Sequence, residues 1–177
     1  MSKFKGKRVL VVGFGLSGVA VARYMAKQGA RVTVTDQKQK SELMDSVNAC
    51  ADLKIEYELG KHNPKTFQTA ELVVVSPGVP TNLKVLDEAR EKVVPITSEI
   101  ELAASALKEP LIAITGTNGK TTTTTLVGEM FKADEKPAYV GGNIGKPLLD
   151  YLTDEGKADY VVAELSSFQL DITHRLT

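Results

Sequence analysis

The chain has 177 residues, 42% hydrophobic and 25% charged, a composition that supports a globular fold with a sizeable core. Lys+Arg and Asp+Glu both total 22, so the formal net charge is zero, and no basic stripe points to nucleic acid. No run approaches the roughly 18 apolar residues of a membrane span, and the lone Cys50 excludes an internal disulfide.

The opening MSKFKGKR runs into a strand without the apolar stretch of a secretory leader, which predicts a cytoplasmic protein. Strand-like and helix-like runs then alternate, the pattern of a parallel sheet flanked by helices. A strand over 8–12 enters Gly13-x-Gly15-x-x-Gly18. A helix over 16–28 follows, with Val19, Val21, Ala22, Met25 and Ala26 on one broad face and Gly29 as its C-terminal stop. The second strand, 31–36, ends on Asp36. A softer helix over 41–51, with Cys50 read as one of its small buried residues, precedes the third strand, 54–59. The fourth, 72–76, is continuously apolar, as buried parallel strands are, and SPGVP (Ser76 to Pro80) stops it. A helix over 83–92 and a short strand over 93–96 complete the set.

Ser98 with Glu101 three residues on is a capping box, predicting a helix from Glu99 to about Lys108. A second series restarts with a strand over 111–115, so a domain boundary is placed near residue 98. The fold class is α/β. Residues 1–98 are expected to form a Rossmann-like parallel-sheet domain, and 99–177, which carry the glycine-lysine-threonine turn Gly116 to Thr121, the start of a phosphate-loop ATPase α/β domain.

The sharpest motif is LIAITGTNGKTTTTTLV, residues 111–127. An apolar strand meets Gly116, Thr117, Asn118, Gly119, Lys120 and Thr121, then a helical segment carrying Leu126, Val127 and Met130. Glycines let backbone N–H groups curl inward, and the following helix presents its positive end to phosphate. Lys120 would neutralise the β- and γ-phosphates and the Thr121 hydroxyl would ligate Mg²⁺. The loop is short, since Ile114 stands where the longer pattern has glycine. Of the five consecutive threonines, Thr121 and Thr122 are expected to face phosphate and Thr123 to Thr125 to pack.

Downstream, DYVVAEL (159–165) reads as a buried strand with Glu164 near its end, where phosphate-loop folds hold the metal. The glycine-rich Gly141 to Gly145, with Asn143 inside it, suits a ligand loop and a structural turn equally. Asp36 stands 18 residues after Gly18, where a ribose-binding acid belongs. The fingerprint alone favours NAD. Against that stand a domain of only about 98 residues and a phosphate loop that a dehydrogenase does not need. His62 and His174 are too few and too far apart for a metal cluster.

GFGLSG, ITGTNGKTT, and GGNIG followed by ELSSFQL (164–170) stand in this order. Together they closely resemble the N-terminal part of the bacterial Mur ligases, and VVGFGLSG with ELSSFQL resembles the D-glutamate-adding branch. The resemblance runs from about residue 5 to residue 177. It implies an ATP-dependent amide ligase of peptidoglycan synthesis with Mg²⁺, acting on UDP-N-acetylmuramoyl-L-alanine and D-glutamate. ATP phosphorylates the substrate carboxylate, and the amine displaces phosphate from the acyl phosphate. By the resemblance, Lys120 and Glu164 are catalytic, and Gly116 to Thr122 bind ATP. Gly15, Leu16, Ser17, Asp36, Ser76, Pro77, Gly78, Asn143, Ser166 and Gln169 bind substrate, and Thr121 and Glu164 hold the metal. Gln37 and Lys38 follow Asp36 where members of the family vary, and His174 comes too early after ELSSFQL to match the family's metal-site histidine.

The balanced charge and the lack of a long apolar run predict no nucleic-acid partner and no membrane span, and a monomer is expected at full length. Members of that family continue well past this length, so the chain is expected to be a fragment, inactive alone, with an open sheet edge in its second half. An NAD-binding redox or sensor module and a phosphate-loop nucleotide switch are the competing readings.

Overall fold

The computed structural model of the chain describes residues 2–154, 157–170 and 173. His174 lies outside them. Strands β1 (Arg8–Val12), β2 (Arg31–Asp36), β3 (Ile55–Leu59), β4 (Leu72–Val75) and β5 (Ile96–Ser98) form a sheet in the order β3-β2-β1-β4-β5. Every pairing is parallel, with Val9 beside Val32 and Leu72. Parallel strands need crossovers, and α1 (Leu16–Lys27), α2 (Met44–Asn48), α3 (Pro64–Thr69) and α4 (Lys84–Glu91) lie between them in sequence.

Helix α5 (Glu99–Ala104) leads to a second parallel sheet of β6 (Leu111–Ile114), β7 (Ala138–Gly142) and β8 (Tyr160–Glu164), ordered β6-β8-β7. Helices α6 (Lys120–Ala133), α7 (Leu148–Thr153) and α8 (Ser167–Leu170) accompany it. Among the described residues, β6 and β7 each have one strand neighbour, and Leu126 and Met130 of α6 stay exposed. No described helix is long and apolar enough to cross a membrane.

Alternation along β1 divides the core. Val9 and Val11 join one apolar cluster, and Leu10 and Val12 join another with Phe67 of α3 and Leu86 and Ala89 of α4. The first cluster runs on without a break through α1, α5 and α7 to Val161, Ala163 and Leu165 around β8. The two sheets therefore share one core, with α1 packed on α7 and Lys27 Nζ donating to Thr153 O at 3.2 Å.

Several expected boundaries shift for local reasons. Strand β5 begins at Ile96 rather than at residue 93, because Val93 takes φ 58° and turns outward, 86% exposed. Helix α5 stops at Ala104, where the Ser105 hydroxyl donates to Leu102 O and competes with the helical ladder. The 41–51 helix is a 3₁₀ turn, Lys40–Leu43, followed by the five residues of α2. Cys50 is buried, as expected, but in the turn after α2 rather than within a helix. Helix α3 is an addition, although Asn63-Pro64 carries its signal: the Asn63 side chain accepts from Lys65 N, and Pro64 occupies the first turn. Helix α7 is also an addition.

Candidate functional site

The chain passes from β1 to β2 and β3 on one side, then returns to β4 and β5 on the other. That reversal opens a crevice at the carboxyl ends of β1 and β4. The turn after β1 is tied down there. Gly13 N donates to Thr35 O at 2.9 Å, Phe14 N to Asp36 Oδ2 at 2.7 Å, and Ser76 Oγ to Gly13 O at 3.1 Å. Asp36 Oδ1 also accepts from Lys38 N, so this carboxylate staples the β1 turn to the loop after β2.

A cavity of about 460 Å³ fills the crevice. Of the residues the resemblance assigns to substrate, Gly15, Leu16, Ser17, Asp36, Ser76, Pro77, Gly78, Asn143 and Gln169 all line it. Ser166 does not, but its N–H and hydroxyl both donate to Gln169 Oε1, at 2.8 and 3.0 Å, and so orient that buried side chain. Sequence reasoning did not assign the lining residues His62, Val79, Leu83, Gly145 and Pro147. For His62 a signal was present: it follows the glycine that ends β3 and precedes Asn63-Pro64, which puts it on the same carboxyl edge as the fingerprint.

The phosphate loop joins β6 to α6, with Gly119 left-handed at the helix N-cap. Lys120 Nζ folds back to donate to Gly116 O at 2.8 Å. Pairing of Ile114 with Glu164 across β6 and β8 carries the acid to the loop. Thr121 Oγ1 donates to Glu164 Oε2 at 2.7 Å, and Asn143 Nδ2 to Glu164 Oε1 at 2.9 Å. Gly142 makes the close approach possible: a Cβ there would lie 2.5 Å from Glu164 O. Thr121, Glu164 and Asn143 thus form one chain of hydrogen bonds, and Asn143 also faces the cavity. Thr122 is exposed at the start of α6. Of Thr123 to Thr125 only Thr124 packs, fully buried, while Thr123 and Thr125 are exposed. This corrects the expectation that all three are packing residues, because helical geometry turns only one of them toward the sheet.

Residues 7–98 match the family described as Mur ligase MurD-like, N-terminal domain, and residues 114–177 match the Mur ligase middle domain. A UDP-N-acetylmuramoylalanine--D-glutamate ligase of Geotalea daltonii is 53% identical over 169 residues, covering 96% of this chain and 37% of the relative. The protein of the same name from Geotalea uraniireducens is 56% identical over 165 residues, covering 93% and 36%. The chain therefore spans little more than a third of the length of these relatives. Among solved structures, the UDP-N-acetylmuramate-alanine ligase MurC of Thermotoga maritima aligns with a TM-score of 0.52 at 25% identity, over 90% of this chain and 37% of that one.

Proposed function

The chain belongs to the Mur ligase family, and from that premise we propose that it is the substrate-binding and phosphate-loop part of a D-glutamate-adding ligase. In this reading residues 1–98 hold the UDP end of UDP-N-acetylmuramoyl-L-alanine, and residues 99–177 begin the ATP-binding domain. The whole enzyme works as a cytoplasmic monomer. One observation carries the reading: Asn143 touches both the crevice cavity and the Glu164–Thr121 pair, so the two sites are continuous.

The chemistry follows from the residues. The backbone N–H groups of Gly116 to Thr122 and the positive end of α6 receive the triphosphate of ATP. Lys120 exchanges its loop carbonyl for the β- and γ-phosphates, where its charge favours the spreading negative charge of the transferring phosphoryl group. The Thr121 hydroxyl and the Glu164 carboxylate are hard oxygen donors already in contact, a set that fits Mg²⁺. When bound, that ion neutralises phosphate charge. Asn143, Ser166 and Gln169 position the muramoyl end, so that its terminal carboxylate oxygen takes the γ-phosphoryl group and ADP leaves. The amine of D-glutamate then attacks the acyl carbon. A C–N bond forms, the C–O bond to phosphate breaks, and the amine proton departs.

Calorimetry separates this from the redox reading. The chain should bind UDP-N-acetylmuramoyl-L-alanine and ignore NAD⁺. Binding of NAD⁺ without the UDP compound overturns the proposal.

A further inference from the structure

The cavity has two distinguishable ends. Gln169 belongs to the β5 end of the sheet: its carbonyl accepts from Thr173 Oγ1 at 2.6 Å, and that hydroxyl lies 2.8 Å from Ser98 Oγ at the end of β5. His62 follows β3, the opposite edge strand, and its ring reaches back to Thr35 of β2, three strand spacings or about 14 Å from β5. A ligand whose reacting end lies by Asn143 and Gln169 therefore brings its far end to Asp36, Gln37, Lys38 and His62. Both Asp36 oxygens already accept backbone N–H groups. We propose that His62 is a specificity-determining residue for the base end of the substrate, donating its Nε2–H to a carbonyl oxygen of the pyrimidine ring. The inference rests on the UDP-substrate reading given under Proposed function.

The direction of the donor comes from Thr35. Its side chain is fully buried, and its hydroxyl lies 2.9 Å from His62 Nδ1, its sole side-chain partner among the described residues. A buried hydroxyl needs an acceptor for its proton, and Nδ1 is the acceptor at hand. The ring proton then sits on Nε2, which has no partner among the described residues. The imidazole cannot swing freely, because it packs edge-on against Phe67 with centroids 5.7 Å apart. Its loop is fastened to the loop after β2 by Gly60 N, which donates to both Asp36 O and Lys38 O. Burial pushes the His62 pKa down, outweighing the nearby Asp36 and Glu58 carboxylates, so the ring is neutral at pH 7. A neutral N–H donor suits a base carbonyl.

The test is titration of UDP into the parent chain, His62→Phe and His62→Gln. His62→Phe keeps the contact with Phe67 and should weaken UDP about tenfold, the net worth of one good hydrogen bond. His62→Gln restores an N–H donor and should recover most of that loss. Pyrophosphate should displace UDP with the same inhibition constant from all three proteins, which places the defect at the base rather than in the fold. Nitrogen NMR of the parent bound to UDP, independent of any variant, should show the Nε2–H tautomer. Parent-like UDP affinity in His62→Phe, or an Nδ1–H tautomer, overturns the proposal. A parent that does not bind UDP at all overturns both this inference and the functional reading beneath it.

Discussion

Gly18 lies directly beneath the first turn of its own fingerprint. A Cβ at this position would stand 2.0 Å from Gly13 O, a backbone atom that cannot move aside, because Ser76 Oγ also holds it. Gly15 differs: a Cβ there would meet nothing within 4 Å, so packing of the chain itself does not demand its glycine. Its openness leaves the backbone approachable from the cavity it lines. Gly18→Ala should destabilise by about 3 kcal/mol, the upper end for forced overpacking, read as a lower urea midpoint at unchanged slope. Gly15→Ala should leave the midpoint within about 0.5 kcal/mol and weaken binding of the UDP compound. The fingerprint spacing made all three glycines visible in the sequence. Which one serves the fold and which faces the cavity depends on atoms brought in from Ser76, far along the chain.

At the scale of elements, α6 is the informative case. Its first turn is built from threonines, mediocre helix formers whose β-branched side chains crowd the preceding turn. Thr121 is held by its hydroxyl bond to Glu164, but Thr124 Oγ1 is buried and has no hydrogen-bond partner among the described residues. Leaving a buried hydroxyl unpaired costs more than replacing it with a methyl of the same shape. Thr124→Val should therefore stabilise the chain by about 1 kcal/mol, seen as a higher melting temperature. The helix itself was legible from the apolar strand, the glycine turn and the returning apolar period. The packing of a single threonine was not, because five identical residues carry no pattern for a helical period to act on. The opposite holds for α3, whose Asn63-Pro64 start is a plain local signal.

At the scale of the whole molecule, Glu99 joins the halves. It is 1% exposed at the start of α5, and its Oε1 accepts from Leu149 N of α7 at 2.7 Å, while Oε2 has no partner among the described residues. Desolvation raises its pKa to about 7, more than offsetting the backbone donors Leu149 and Leu148, and Asp150 adds repulsion. The folded state thus holds this proton more tightly than the unfolded chain does. The resulting stabilisation is complete below the ordinary Glu value and is lost as pH rises through about 7. The shift corresponds to about 3 kcal/mol of stability lost across that window. Glu99→Gln keeps the oxygen that accepts from Leu149 and cannot ionise. Denaturation at pH 4 and pH 8 should show the variant gaining on the parent by about that amount at the higher pH. Equal pH dependence in the two proteins would contradict a buried, titrating Glu99. The Ser98–Glu101 box predicted a helix start at Glu99, and Ser98 Oγ does accept from Glu101 N. No local pattern could show that the residue between them reaches into the second half.

The sequence by itself determined the alternation of strands and helices, the fingerprint turn, the phosphate loop and the acid at the end of β8. These are local: apolar periodicity, glycine spacing and helix caps act within one turn or one strand. Nine of the residues that line the cavity were named through the family resemblance that the sequence motifs carry. Only the tertiary structure decided that the two sheets share one core, that Asp36 is spent on two backbone N–H groups, and that His62 joins the cavity with its proton directed by Thr35. Apart from the local bond of Lys38 N to Asp36, those outcomes depend on parallel pairing and hydrogen bonds between segments 22 to 27 residues apart or more. A periodic pattern records which face of an element is buried. It does not record which distant donor or acceptor will meet it there.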